Sequence, residues 1–71
     1  MFSVSLTNAD HIRRYSISFL NGSGWEVTHQ QDGEMTRRSC YHDWHRVERA
    51  RAVFALEVSQ LTERGWKIVD G

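Results

Sequence analysis

The sequence predicts an α+β fold, an antiparallel meander of three to four strands with one helix packed across one face, in the order β-β-β-α-β. Three features of the chain point there. Before residue 40, apolar side chains recur at every second position, the period of a half-buried strand. Beyond residue 43 they recur at every third or fourth position, the period of one helix face. Asn21-Gly22 and Asp32-Gly33 divide the first region as hairpin turns do, and Gly65 closes the second.

The elements follow in order. Phe2, Val4 and Leu6 alternate with Ser3, Ser5 and Thr7, so residues 1–10 are expected as an extended arm or an extra strand ending in a turn at Thr7-Asn8-Ala9-Asp10. In residues 14–19, Tyr15, Ile17 and Phe19 share one face and Arg14, Ser16 and Ser18 the other. Asn21-Gly22-Ser23-Gly24 can supply the positive φ angles of a hairpin turn. Trp25, Val27 and His29 then alternate with Glu26 and Thr28, and Gln31-Asp32-Gly33-Glu34 turns the chain again. Residues 35–40 should return as a third strand. Their alternation is poor, because Arg37 and Arg38 are adjacent and one must face inward unless a bulge intervenes. A charged edge strand tolerates this.

The helix is expected over residues 44–64, with Asp43 as N-cap and Gly65 at the C′ position. On a wheel of about 100° per residue, Val47, Ala50, Val58 and Leu61 fall within about 40° of Phe54. This stripe should pack on Tyr15, Ile17, Phe19, Trp25 and Val27. Trp66, Lys67, Ile68 and Val69 read as a short final strand or extended tail.

A chain of 71 residues makes one domain, residues 1–71, with a small core that association would help to stabilise. A single cysteine excludes an intrachain disulfide and suits a reducing compartment. The chain begins at Met with no basic leader, carries no tag, and has no apolar run long enough for a bilayer. It is expected to be a complete small cytoplasmic protein with no membrane contact. Nine basic and nine acidic residues cancel, so the field of a typical nucleic-acid binder is missing.

Three groups of residues are candidates for chemistry. Cys40, His42 and His45, with Asp43, are all metal-ligand types at compact spacing. Zinc motifs usually pair two clusters, and no second Cys pair exists. The expectation is therefore no metal and no cofactor, with Cys40 packed as a small apolar residue, Asp43 capping, Trp44 sealing the core and both histidines exposed. No catalytic constellation surrounds Cys40 either. Second, seven of the nine basic residues are Arg13, Arg14, Arg37, Arg38, Arg46, Arg49 and Arg51. Arg14 and one of Arg37 or Arg38 should lie on the open sheet face, where a three-stranded sheet could enter a DNA groove. Third, Ala52, Val53 and Leu56 form a second apolar strip on the helix, framed by Arg49, Ser59 and Gln60.

Ala50, Phe54, Val58 and the pair Gly65-Trp66 resemble the tail of WGR domains, small sheet-plus-helix modules of poly(ADP-ribose) polymerases and of small bacterial proteins. The resemblance spans about a third of the chain and implies the same sheet-plus-helix fold. The family's Trp-Gly-Arg is absent; His29-Gln30-Gln31-Asp32-Gly33 stands near that place, so the family's nucleic-acid contacts transfer to no residue. The functional expectation is a non-enzymatic interaction module that binds a protein partner or itself through Arg49, Ala52, Val53 and Leu56, as a weak homodimer in the second case. The alternative is a nucleic-acid-binding module using Arg14, Arg37 and Arg38.

Overall fold

A computed structural model describes residues 2–22 and 24–69 of the chain. The elements are β1 (Phe2–Asn8), β2 (His11–Leu20), β3 (Gly24–Gln31), β4 (Glu34–Tyr41), α1 (Trp44–Glu63) and β5 (Lys67–Val69). The strands form one antiparallel sheet in the order β4-β3-β2-β1-β5, an α+β meander with a single helix on one face. Residues 2–8 are a full strand rather than an arm. β1 lies between β2 and β5, and its Leu6 is completely buried.

Turn chemistry sets the registers. Ala9 and Asp10 form the first turn, with Ala9 at positive φ. Asp32 and Gly33 both have positive φ, the signature of the tight turn whose twist matches flanking strands. The Asp32 carboxylate accepts from the Ile12 backbone N–H at 2.9 Å and from His11 Nδ1 at 3.0 Å, so this turn is tied to the start of β2. The His11 bond holds the Asp32 carboxyl below its usual range. Ser23, within the expected Asn21-Gly22-Ser23-Gly24 turn, lies outside the described residues. Gly24 has φ +95°, and a Cβ there would collide with the Tyr41 carbonyl oxygen, so two strands approach at a point only glycine allows.

Asp43 is the N-cap of α1; its carboxylate accepts from the His45 N–H at 3.0 Å. The other end is a Schellman motif. Arg64 is the C-cap, the Gly65 N–H bonds the Thr62 carbonyl, and the Trp66 N–H reaches back to the Leu61 carbonyl at 3.0 Å. Gly65 takes the required left-handed conformation, and Trp66 and Leu61 both join the core cluster.

Val47, Phe54 and Leu61 are buried at seven-residue intervals, with Ala50 and Val58 half-buried between them. They meet Leu6, Tyr15, Ile17 and Val27 of the sheet. Phe19, expected in this core, is 58% exposed. The helix begins at Trp44, whose ring lies 5.2 Å from that of Trp25. Phe19 therefore only edges against Trp25, at 5.7 Å. Among the described residues, no helix is long and apolar enough to cross a membrane.

Candidate functional site

The sheet ends at β4, and this edge shapes the site. Between His29 and Gln30 the β3–β4 register slips, so that His29 faces Arg37 while Gln30 faces Met35. Thr36 is the extra residue of the resulting bulge. Beyond it the two adjacent arginines point to opposite faces. Arg38 stands on the open side of the sheet, where its Nε donates to Glu26 at 2.7 Å. Arg37 turns under the helix and donates from both terminal nitrogens to Glu57, at 3.0 and 2.7 Å. The guanidinium also lies 5.6 Å from the Phe54 ring centroid, within cation–π range.

Glu57 is thereby the centre of a half-buried polar cluster. Tyr15 donates its hydroxyl to the same carboxylate at 3.3 Å. Arg37 holds the Glu57 carboxyl below its ordinary range, against the opposing effect of burial. Burial raises the Tyr15 phenol. His29 stacks on Tyr15 at 4.5 Å and is 4% exposed. The Thr36 hydroxyl donates to the His29 carbonyl at 3.0 Å, so it accepts from His29 Nδ1–H in the tautomer that this network assigns. The other nitrogen, Nε2, is then an acceptor buried without a partner among the described residues. Burial first, then Arg37 and Arg13, lower the imidazole and keep the ring neutral.

Alongside this cluster, between the inner side of β4 and the near flank of α1, runs an open cleft of about 470 Å³. Its floor is apolar: Val27, Ala50, Val53 and Phe54. Ser39 and Tyr41 of β4 add hydroxyls, and Arg37, Arg46 and Arg49 add guanidinium groups. Arg46 and Arg49 form no ion pair among the described residues, whereas Arg37 is matched by Glu57. The cleft therefore combines an oily floor with two uncompensated positive charges on its rim.

No protein-family model, no curated protein and no solved structure matches the chain. The cleft has to be understood from its own chemistry.

Of the residues singled out in the sequence, Arg49 and Val53 line the cleft, Val53 being 45% exposed. Ala52 and Leu56 lie exposed further round the helix, Leu56 at 60%. Arg14 and Arg38 share the open sheet face; Arg14 Nε donates to Ser5 Oγ at 3.2 Å. Arg37 lies on the opposite face, beneath the helix, and does not contribute to that surface. Cys40 is exposed opposite Glu26 on the open face, not packed as a small apolar residue, because the even-numbered residues at this end of β4 face away from the helix. No group of three or more metal-ligand side chains forms among the described residues, so Cys40, His42 and His45 are not brought together. Arg46, Ser39, Tyr41 and Glu57 were missed as partners in a site. On the helical wheel Arg46, Arg49, Val53 and Glu57 occupy one flank, and this was the available signal.

Proposed function

We propose that the chain is a non-enzymatic interaction module that binds a protein partner through the cleft between β4 and α1. The observation that carries this reading is the pairing of an apolar floor with unmatched arginines at an open sheet edge. Apolar area supplies most of the affinity at such a surface. Rim charges, worth about 0.2–1 kcal/mol each when exposed, set orientation and partner choice. His29, whose imidazole is lowered by burial, sits in the Tyr15 cluster and does not line the cleft. Exposed Leu56, with Ala52 beside it, favours a second, weaker contact, self-association across the outer helix face.

A comparative pull-down tests the reading. Wild type, Arg46→Glu/Arg49→Glu and Arg14→Glu are immobilised and exposed to the same lysate. A protein retained by wild type and Arg14→Glu but lost by the double variant is expected. Equal retention by all three would remove the cleft from the function.

A further inference from the structure

We infer that the cleft takes an extended protein segment with acidic side chains at alternate positions, which adds to the sheet as a new strand along the free edge of β4. This rests on the interaction-module reading and names the chemical class of its partner.

Among the described residues, β4 pairs with β3 on one side and has no strand on the other. The bulge at Thr36 and the charges around it blunt the first part of that edge, as edge strands commonly require. From Arg37 to Tyr41 the register is regular, so every second residue of this stretch offers its N–H and C=O groups outward. The helix flank with Arg46, Arg49 and Val53 stands beside that same stretch. A strand added there would lie about 4.8 Å from β4 and point every second side chain toward the helix. Those side chains would continue the inward row of Arg37, Ser39 and Tyr41. They would enter the cleft between this row and the flank of α1.

Charge selects the occupant. Successive inward side chains on a strand stand about 7 Å apart. Arg46 and Arg49 are three residues apart, about 4.5 Å of helix rise, and their long side chains can spread to that spacing. Two carboxylates at successive inward positions, followed by one apolar residue, therefore match two guanidinium groups above a floor of Ala50, Val53 and Phe54. A second copy of this chain fits poorly. Edge-to-edge pairing of two β4 strands would gather Arg37, Arg46 and Arg49 of both copies on one seam, with only Glu57 of each to offset them. A basic or nucleic-acid-like extended chain fails on charge or on the apolar floor respectively. The pattern is that of strand addition, in which backbone bonds give affinity and alternate pockets give specificity.

The test uses the isotope-labelled full chain and three capped heptapeptides. The first is Thr-Glu-Thr-Glu-Thr-Val-Thr, the second has Lys for both Glu, and the third repeats the first with N-methyl groups on its Thr residues. Amide resonances are followed to millimolar peptide. The acidic peptide is expected to shift residues 37–41 and 46–53, with affinity falling at least tenfold for the Lys peptide, for the N-methylated peptide and for Arg46→Glu/Arg49→Glu. No shift at millimolar acidic peptide overturns the inference, as does equal binding of the Lys peptide or shifts confined to β5. Shifts at residues 37–41 on concentrating the protein alone would assign the edge to a second copy, and that also overturns it. If the peptide fails while the double variant still loses its lysate partner, strand addition is wrong and the interaction module stands. If both fail, the module reading falls as well.

Discussion

Arg37 on the edge strand and Glu57 on the helix form a two-pronged ion pair, with N–O distances of 3.0 and 2.7 Å. It ties β4 directly to α1, and Arg37 also lines the cleft. The parallel geometry suits a planar guanidinium and a planar carboxylate, which a lysine cannot reproduce. Arg37 is about half exposed, so solvent screens part of the attraction.

Arg37→Ala is expected to cost about 1–2 kcal/mol, since Glu57 keeps only the Tyr15 bond and stays half-buried. Arg37→Lys should recover less than half of that loss. Denaturant midpoints of the two variants check the order. Equal stability of wild type and Arg37→Ala would mean that the helix is held against β4 by packing alone.

His29 and Glu57 both make the fold sensitive to acid, in different windows. The native His29 imidazole is lowered below its usual value near 6.5. As pH falls from about 6.5, the unfolded state takes up this proton before the native state does, so stability falls with pH. Glu57 is lowered below its usual value of 4.5, so its contribution is present above about that pH and is lost as pH falls through its native value. His29→Phe keeps the ring on Tyr15, leaves the Thr36 hydroxyl bonded to the backbone carbonyl, and removes the orphaned Nε2. The melting temperature of this variant should be flat between pH 7 and pH 5, where that of wild type declines. Parallel curves for the two proteins would show that His29 does not titrate on unfolding in that range.

Phe54 is the central contact of the helix. Its ring meets Tyr15 edge-on at 4.8 Å and Phe2 at 6.4 Å, and it is 3% exposed. Phe54→Ala should cost about 3–5 kcal/mol. A domain this small commands roughly that much in total, so the variant should be largely unfolded at 25 °C. A cooperative melt within a few degrees of wild type would contradict the packing of Phe54 between helix and sheet.

Much of this fold was legible in the sequence because its local signals agree. The alternation in Tyr15, Ile17 and Val27, the Asp32-Gly33 turn, the Asp43 cap and the Gly65 C′ position each act within a few residues. Phe19 was not legible: alternation gives the face but not how far a helix extends over it. Leu6 shows the opposite. Its period was clear, but its complete burial depends on β5 pairing beside β1, a contact made across some sixty residues of chain. The cleft was the least legible part. Arg37 enters it only because a bulge at Thr36 resets the register, and Glu57 reads as an ordinary helix-surface carboxylate until Arg37 and Tyr15 reach it.

The open sheet face gives a separate expectation for nucleic acid. Of its arginines, Arg38 is neutralised by Glu26, and Arg14 is bonded to Ser5. With net charge zero, few counterions would be released, so duplex binding should be no tighter than about 100 µM at physiological salt. Fluorescence anisotropy with a labelled duplex checks this across a salt series. A micromolar, salt-steep isotherm abolished by Arg14→Ala/Arg38→Ala would transfer the function to the sheet face.

Leu56 and Val53 separate the two proposed contacts on the helix. Leu56 is 60% exposed and does not line the cleft, whereas Val53 is 45% exposed and does. Two copies meeting on a two-fold axis would bring Leu56 and Ala52 of each together, with Arg49 of one near Glu48 or Glu63 of the other. The strip is small, and association must overcome lost rotational and translational freedom, so the dimer should be weak and concentration-dependent. Leu56→Glu places like charges near the axis. It should give a monomer with a melting temperature close to wild type, because an exposed substitution away from the core costs about 0.5 kcal/mol or less. It should also leave the acidic heptapeptide bound. Val53→Glu should do the reverse, repelling the peptide's carboxylates and sparing the weak dimer. Sedimentation over a range of concentrations and the peptide titration read the two variants independently. A wild-type chain that stays monomeric at millimolar concentration removes the outer-face contact. A peptide affinity that falls as far with Leu56→Glu as with Val53→Glu would place the bound segment across the helix rather than along β4.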